Sequence, residues 1–189
     1  MERLIFLVVL FCCCLRTGAA QEGLPLDQRL RLAQYELEWW PPTAAAYRFV
    51  KPAVNSFQPV DFAVQIRKED LQIRYLLVPV VDVDDERSDI PQIQAATLAM
   101  HLADNEEDSY ISTHQLDPGL LDSVYHADWG ETYFFHPKPG FSTAKNCQLL
   151  AIFREGVAMA YIMLLFDEAP LTLPEHTRTL RFWKRKLKN

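Results

Sequence analysis

At 189 residues, with 49% hydrophobic and 23% charged side chains, the chain has the length and composition of one globular domain, which excludes global disorder. The formal net charge of −6 is unevenly spread, because Arg178, Arg181, Lys184, Arg185, Lys186 and Lys188 crowd residues 175–189 against Glu175 alone. An acidic body with a basic tail excludes general nucleic-acid binding, which needs a basic face on the domain itself.

The chain opens with Arg3, an apolar run from Leu4 to Leu15, and small residues at Gly18-Ala19-Ala20. That pattern reads as a secretory signal peptide over 1–20, with export to a periplasm or the exterior, and leaves a single domain over 21–189. The run is about twelve residues, short of the roughly 20 that span a bilayer. Cys12-Cys13-Cys14 raises a lipid-anchored alternative, disfavoured because Phe11 or another cysteine precedes each candidate. Cys147 is then the only cysteine of the mature domain, so the fold is held by burial and not by a disulfide.

Helical spacing follows from Leu26 to Trp39, with Leu26, Leu30, Ala33 and Leu37 on one stripe and Leu32 and Tyr35 alongside. Pro41-Pro42 ends it. Trp39-Trp40 before two prolines offers a carbohydrate or peptide platform, but large indoles at a helix end more readily fold onto a sheet.

Asp61–Arg67 alternates with Phe62, Val64 and Ile66 on one face, and Leu71–Val78 answers with Leu71, Ile73, Tyr75 and Leu77. With Lys68-Glu69-Asp70 as the turn, this is a hairpin with one solvated side. The acidic stretch Val81–Asp89 lacks the glycine and the twelfth-position glutamate of a calcium loop, and reads as solvated loop. A helix over 90–103 is predicted, capped by Ser88-Asp89 with Pro91 in its first turn. Its stripe is Ile90, Ile93, Thr97 and Met100, widened by Leu98 and Leu102.

Short strands are expected at Ser109–Thr113 and Glu131–His136, with a helical turn over Leu120–Tyr125 between them. The most apolar stretch is CQLLAIFREGVAMAYIMLLFD, Cys147 to Asp167, two runs split by Arg154-Glu155-Gly156. Gly156 is free to take positive φ, so the stretch reads as a hairpin buried on both faces. The 175–189 segment is predicted as a basic C-terminal helix with Leu180, Trp183 and Leu187 inward. Its other face, Arg181, Lys184, Arg185 and Lys188, suits an anionic membrane surface, an acidic partner, or the acidic body of the same domain.

These elements amount to an α+β fold, an antiparallel sheet built from two hairpins with helices packed on it. Their order resembles the PsbP-like family, through the first hairpin (Asp61–Val78), the buried final hairpin (Cys147–Asp167) and the closing helix after Pro174. The resemblance implies an α/β/α sandwich and a binding or assembly role without chemistry, and carries over no functional residue.

Candidate chemistry centres on HADWGETYFFH. His126, Asp128, Glu131 and His136, with His114 upstream, are the richest set of metal-type ligands, although their spacing fits no helix pair. No G-x-S-x-G elbow or glycine-rich phosphate loop is present, and Cys147 has no basic neighbour at strand spacing except Lys145, which gives an activated thiolate little support. No residue is assigned as catalytic, cofactor-binding or metal-binding, and no cofactor is implied. The expectation is an exported, non-catalytic binding or assembly domain acting on a protein or cell-envelope component. The alternative is a small metal-dependent or hydrolytic enzyme using His114, His126, Asp128 and His136.

Overall fold

The computed structural model describes residues 24–41, 43, 46–51, 57–80, 90–106 and 109–185. The expected leader with Cys12–Cys14, the acidic 81–89 loop with its Ser88-Asp89 cap, and residues 186–189 lie outside them.

The predicted central hairpin is present as β7 (Asn146–Arg154) and β8 (Ala158–Phe166), joined through Gly156 at φ 69°. Every residue of β8 is buried. The continuous apolar runs are explained by a core on each face. Leu150, Ile152, Ala160, Ile162 and Leu164 face one cluster, and Leu149, Ala151, Met159, Tyr161 and Met163 face the other. Alternation along a strand sends successive side chains to opposite sides, so a strand covered on both has no polar positions to spare.

The first hairpin is β3 (Phe62–Ile66) and β4 (Leu71–Pro79), with Phe62, Val64, Ile66, Leu71, Ile73, Tyr75 and Leu77 all buried in the first cluster. Two short strands precede it, β1 (Leu37–Trp39) and β2 (Arg48–Val50). β5 (Ser112–Gln115) and β6 (Trp129–Phe135) complete a seven-stranded antiparallel sheet in the order β2-β3-β4-β8-β7-β6-β5. The two hairpins meet where β4 pairs β8, with Tyr75 opposite Ile162.

A helix, α1, spans Leu26–Gln34, shorter than the predicted Leu26–Trp39. It stops because Glu36 turns to φ 53° and the chain enters β1, where Leu37 and Trp39 point inward and Glu38 does not. Leu26 and Leu30 of the expected stripe are exposed, and Leu32 with Tyr35 carries the contact instead. Trp39 is buried and donates from Nε1 to the Tyr75 hydroxyl at 3.2 Å. Trp40 stays at the surface with the Arg181 guanidinium 4.3 Å over its ring.

A second helix, α2, spans Pro91–Leu102 and covers the other face. Its inward residues are Ala95, Ala99 and Leu102, while Ile90, Ile93 and Met100 of the predicted stripe are exposed. The opposing sheet surface is crowded with Trp129, Tyr133 and Phe135, and alanines let the helix axis approach those rings. A periodic sequence with apolar residues all round cannot reveal which side meets them.

The predicted basic helix over 175–189 is not formed across its described part. One short helix, Leu173–His176, leads through a 3₁₀ turn at Thr177–Thr179 into β9 (Leu180–Phe182). β9 pairs antiparallel with β1, placing Leu180 opposite Trp39 and Phe182 opposite Leu37, all buried in the first cluster. Leu180 and Phe182 alternate at period two, and pairing with β1 satisfies backbone groups that a helix would otherwise satisfy internally. Arg181 pairs with Glu38 at 2.6 Å and Arg185 with Asp128 at 2.6 Å, so these basic residues dock on the domain itself. In the described part of the closing segment that contributed to the resemblance with the PsbP-like family, a short helix and a 3₁₀ turn therefore lead into a strand. The α+β class stands, with α2 on one face of the sheet and α1, the β1–β9 ribbon and the 173–179 turns on the other.

Candidate functional site

The structure spreads the four candidate ligands along β5 and β6. His114 lies exposed in β5 opposite Thr132. Between the strands, Asp117 caps one helical turn, α3 (Pro118–Leu120), by accepting from Gly119 N at 2.8 Å and Leu120 N at 3.3 Å. The chain then widens into a π-helical turn at Leu121–Tyr125, closed by His126 at φ 51°. His126 Nδ1 lies 2.7 Å from the Asp122 carbonyl. Asp128 accepts from Glu155 N at 3.0 Å and from Arg185 Nη2 at 2.6 and 2.8 Å. His136, past the far end of β6, has Nδ1 2.7 Å from the Lys145 carbonyl. Eight extended residues, roughly 25 Å, separate Asp128 from His136. The four are not brought together, and among the described residues no group of three or more metal-type ligands occurs.

His126 and Asp128 instead serve the tip of the central hairpin. Arg154 is almost fully buried and donates from Nη2 to the His126 carbonyl at 2.6 Å and the Trp183 carbonyl at 2.7 Å. Its Nε reaches the same His126 carbonyl at 3.1 Å, its Nη1 reaches Glu36 at 3.3 Å, and its Cζ lies 4.9 Å from the Phe182 ring centroid. Burial, reinforced by Arg185, lowers its pKa, and Glu36 and Asp128 oppose that. One guanidinium thus ties together the hairpin, the chain after α1, the loop before β6 and the end of β9.

A second, part-buried network was not legible in the sequence. His176 lies between Tyr47, 2.7 Å from Nδ1, and Glu69, 2.7 Å from Nε2. Thr172 also donates to Glu69 at 2.7 Å. Burial, followed by the nearby Tyr75 hydroxyl and the Glu69 and Glu175 carboxylates, pushes the Tyr47 phenol well above its usual range, so it remains protonated. Tyr75, pushed up to about 12 by burial, contacts Thr179 at 2.8 Å, and Thr179 donates to the His176 carbonyl at 2.9 Å. Both His176 nitrogens are engaged, so the network latches the C-terminal segment onto the β3–β4 turn. Nothing but the fold brings Tyr47, Glu69 and His176 together, and no spacing signals it. Cys147 is buried beneath the sheet face, and that burial pushes its thiol pKa far up, away from nucleophilic use.

The arrangement that stands open to a partner lies at the β5 edge. Beside it, on the face of Thr132 and Phe134, a hollow of about 340 Å³ runs between Leu120 and Tyr125 on one side and Leu173 and Pro174 on the other. It adjoins a second hollow of about 320 Å³ with Tyr110 and Ala169 in its wall, and Phe134 and Leu173 line both. Phe134 is 39% exposed at the floor, and Leu171 is fully exposed. Each residue of β5 is exposed. Leu116 N donates to Gly130 O at 3.0 Å, in the same register that sets His114 opposite Thr132 and Ser112 opposite Phe134. Ser112, His114 and Leu116 therefore turn their backbone groups toward β6, while Thr113 and Gln115 turn theirs outward. Gly130 permits this closeness, since a Cβ there would stand 2.9 Å from both Leu116 Cδ1 and Leu121 Cδ2.

Comparison with protein-family models finds none that matches the chain. Comparison with curated proteins finds no match either.

Proposed function

We propose that the chain is an exported, non-catalytic binding or assembly domain whose partner is a protein, taken up as an extended segment along β5. The observation that carries this reading is the open edge. Thr113 and Gln115 present N–H and C=O groups outward from a fully exposed strand at the end of a seven-stranded sheet. Among the described residues the strand carries no lysine, proline or covering element, the devices that ordinarily blunt an edge. Alternating backbone donors and acceptors are complemented best by another backbone, so the occupant is polypeptide. The Phe134–Leu173 hollow on the same face supplies an apolar anchor for side chains of such a strand. Export rests on the leader read at 1–20.

Random-peptide display against the mature domain tests the reading. Extended peptides with alternating apolar residues are expected to be enriched. Thr113→Pro removes an outward N–H without touching the β6 ladder and is expected to weaken binding at least tenfold, the equivalent of one or two backbone hydrogen bonds. Phe134→Ser weakens it further. Failure to enrich any peptide, or equal binding by Thr113→Pro, refutes the proposal.

A further inference from the structure

A cleft of about 660 Å³ lies away from β5, between the outer part of β4 and the Pro139–Ala144 loop. Its lining is mainly polar: Gln65, Asp70, Gln72, Arg74, Ser142, Thr143 and Asp167 contribute. Arg74 is its organising group. The side chain leaves β4 on the same face as Leu76 and Val78, beyond the area that α2 covers. Nε donates to Gln72 Oε1 at 2.7 Å, Nη1 donates to the Phe141 carbonyl at 2.7 Å, and Cζ lies 4.7 Å from the Phe141 ring centroid. Two hydrogen bonds and a stacked ring hold the guanidinium plane in place. Its Nη2 donates to no described residue.

Arg74 also has no counterion among the described residues. The other arginines that are buried or half-buried are compensated, Arg154 by Glu36 and Arg181 by Glu38. Arg74 has no carboxylate within ion-pair distance among the described residues, although Asp70 and Asp167 line the same cleft. Asp167 Oδ1 is occupied by Lys145 N at 2.9 Å. Among the described residues the desolvation cost of this half-buried guanidinium is offset by two neutral acceptors and one ring, and by no carboxylate. A fork fixed in orientation, with Nη2 uncommitted, is preorganised for an incoming planar anion.

We infer that this cleft is a binding site for a small monocarboxylate, with Arg74 receiving the carboxylate. The surroundings narrow the class. One cation beside two aspartates favours a singly charged anion over a dianionic phosphate, which the two carboxylates repel about twice as strongly. The carboxylates and amide oxygens of Asp70, Asp167, Gln65 and Gln72 accept hydrogen bonds, so the ligand carries hydroxyl or ammonium donors next to its carboxylate. A sugar acid and an amino acid share that chemistry. The site lies apart from β5 and does not depend on peptide uptake there.

Titration of the ¹⁵N-labelled mature domain, observed through the Arg74 Nε–H and the Ser142 and Thr143 amides, tests the assignment. The probes are glucuronate, serine, the methyl ester of glucuronate, glucose and inorganic phosphate. Saturable shifts with glucuronate or serine, reduced at least tenfold in affinity for the ester and for Arg74→Gln, are expected. Which of the two acids binds more tightly identifies the ligand source. The ester arm needs no variant and holds even where Arg74→Gln perturbs folding. Equal binding of acid and ester, tighter binding of phosphate than of either acid, or no saturable shift with any acid up to millimolar concentrations overturns the inference.

Discussion

Replacing Arg154 by methionine keeps the length of the side chain and deletes the head that ties four segments together. The head is 3% exposed, and its removal leaves the His126 carbonyl without two donors and the Trp183 carbonyl without one. An unsatisfied acceptor costs about 1–3 kcal/mol where it stays shielded, as at half-buried His126, and less at Trp183, which is 42% exposed. Glu36 is 51% exposed and returns to water with little penalty, so the carbonyls dominate. The expected loss is about 3 kcal/mol, a large part of the 5–15 kcal/mol typical of a domain. For a chain of this size that corresponds to a fall in Tm of roughly 10 °C. Urea unfolding followed by circular dichroism measures it. Arg154→Lys retains the charge but offers no fork to two carbonyls, and should recover less than half of the loss. The damage should also be local first: hydrogen exchange at Leu180–Phe182 should accelerate well before that of β7 and β8. A loss under about 1 kcal/mol, or uniform acceleration across the sheet, would refute the assignment of Arg154 as the tie between the hairpin tip and the C-terminal strand.

Three further outcomes are expected. Ile162→Asp places a carboxylate at a fully buried position between Leu150 and Tyr75 and should yield no folded protein, whereas Ile162→Val should cost about 1 kcal/mol in urea unfolding. Gly130→Val sets a Cβ 2.9 Å from Leu116 and Leu121 and 3.1 Å from the Ala151 carbonyl, and should cost about 1–3 kcal/mol, with faster exchange at Leu116 N–H. Burial raises the pKa of Glu69, but hydrogen bonds from Thr172 and His176 and the charge of His176 outweigh it, leaving the carboxyl below its usual 4.5. A carboxyl with a depressed folded-state pKa binds fewer protons folded than unfolded, so its stabilisation is complete above the unfolded pKa. It is lost as pH falls through the folded value. Glu69→Gln should therefore lower stability at pH 7 and flatten the decline below pH 4.5; an unchanged acid limb would refute it.

The local patterns of this chain carried different amounts of information. Both hairpins were legible because period-two alternation and continuous apolar runs report burial on one face or on two, and each strand is short enough for the pattern to be unambiguous. The faces of α1 and α2 were not. Leu26, Leu30, Ile93 and Met100 satisfy helical spacing as well as Leu32, Ala95, Ala99 and Leu102 do, and only the shape of the opposing sheet selects between them. The C-terminal segment misled for a related reason. Leu180, Trp183 and Leu187 fit one turn of helix after another, while Leu180 and Phe182 fit a strand. The decision came from β1, whose Leu37 and Trp39 had their own partners to find 143 residues away by the Glu38–Arg181 pair.

The candidate site follows the same division. Residue types at His114, His126, Asp128 and His136 suggested a ligand set, but extension of β6 drew them apart, because a strand separates neighbours by about 3.3 Å where a helix would have stacked them. Composition and periodicity by themselves determined an α+β domain with a doubly buried central hairpin, since hydrophobic burial reads out residue by residue along a strand. Only the tertiary structure decided which edge stays open, that Tyr47, Glu69 and His176 share one part-buried network, and that Arg74 is held in a cleft with no counterion among the described residues. Those features depend on pairs far apart in the chain, and no local spacing encodes a distance that the fold itself creates.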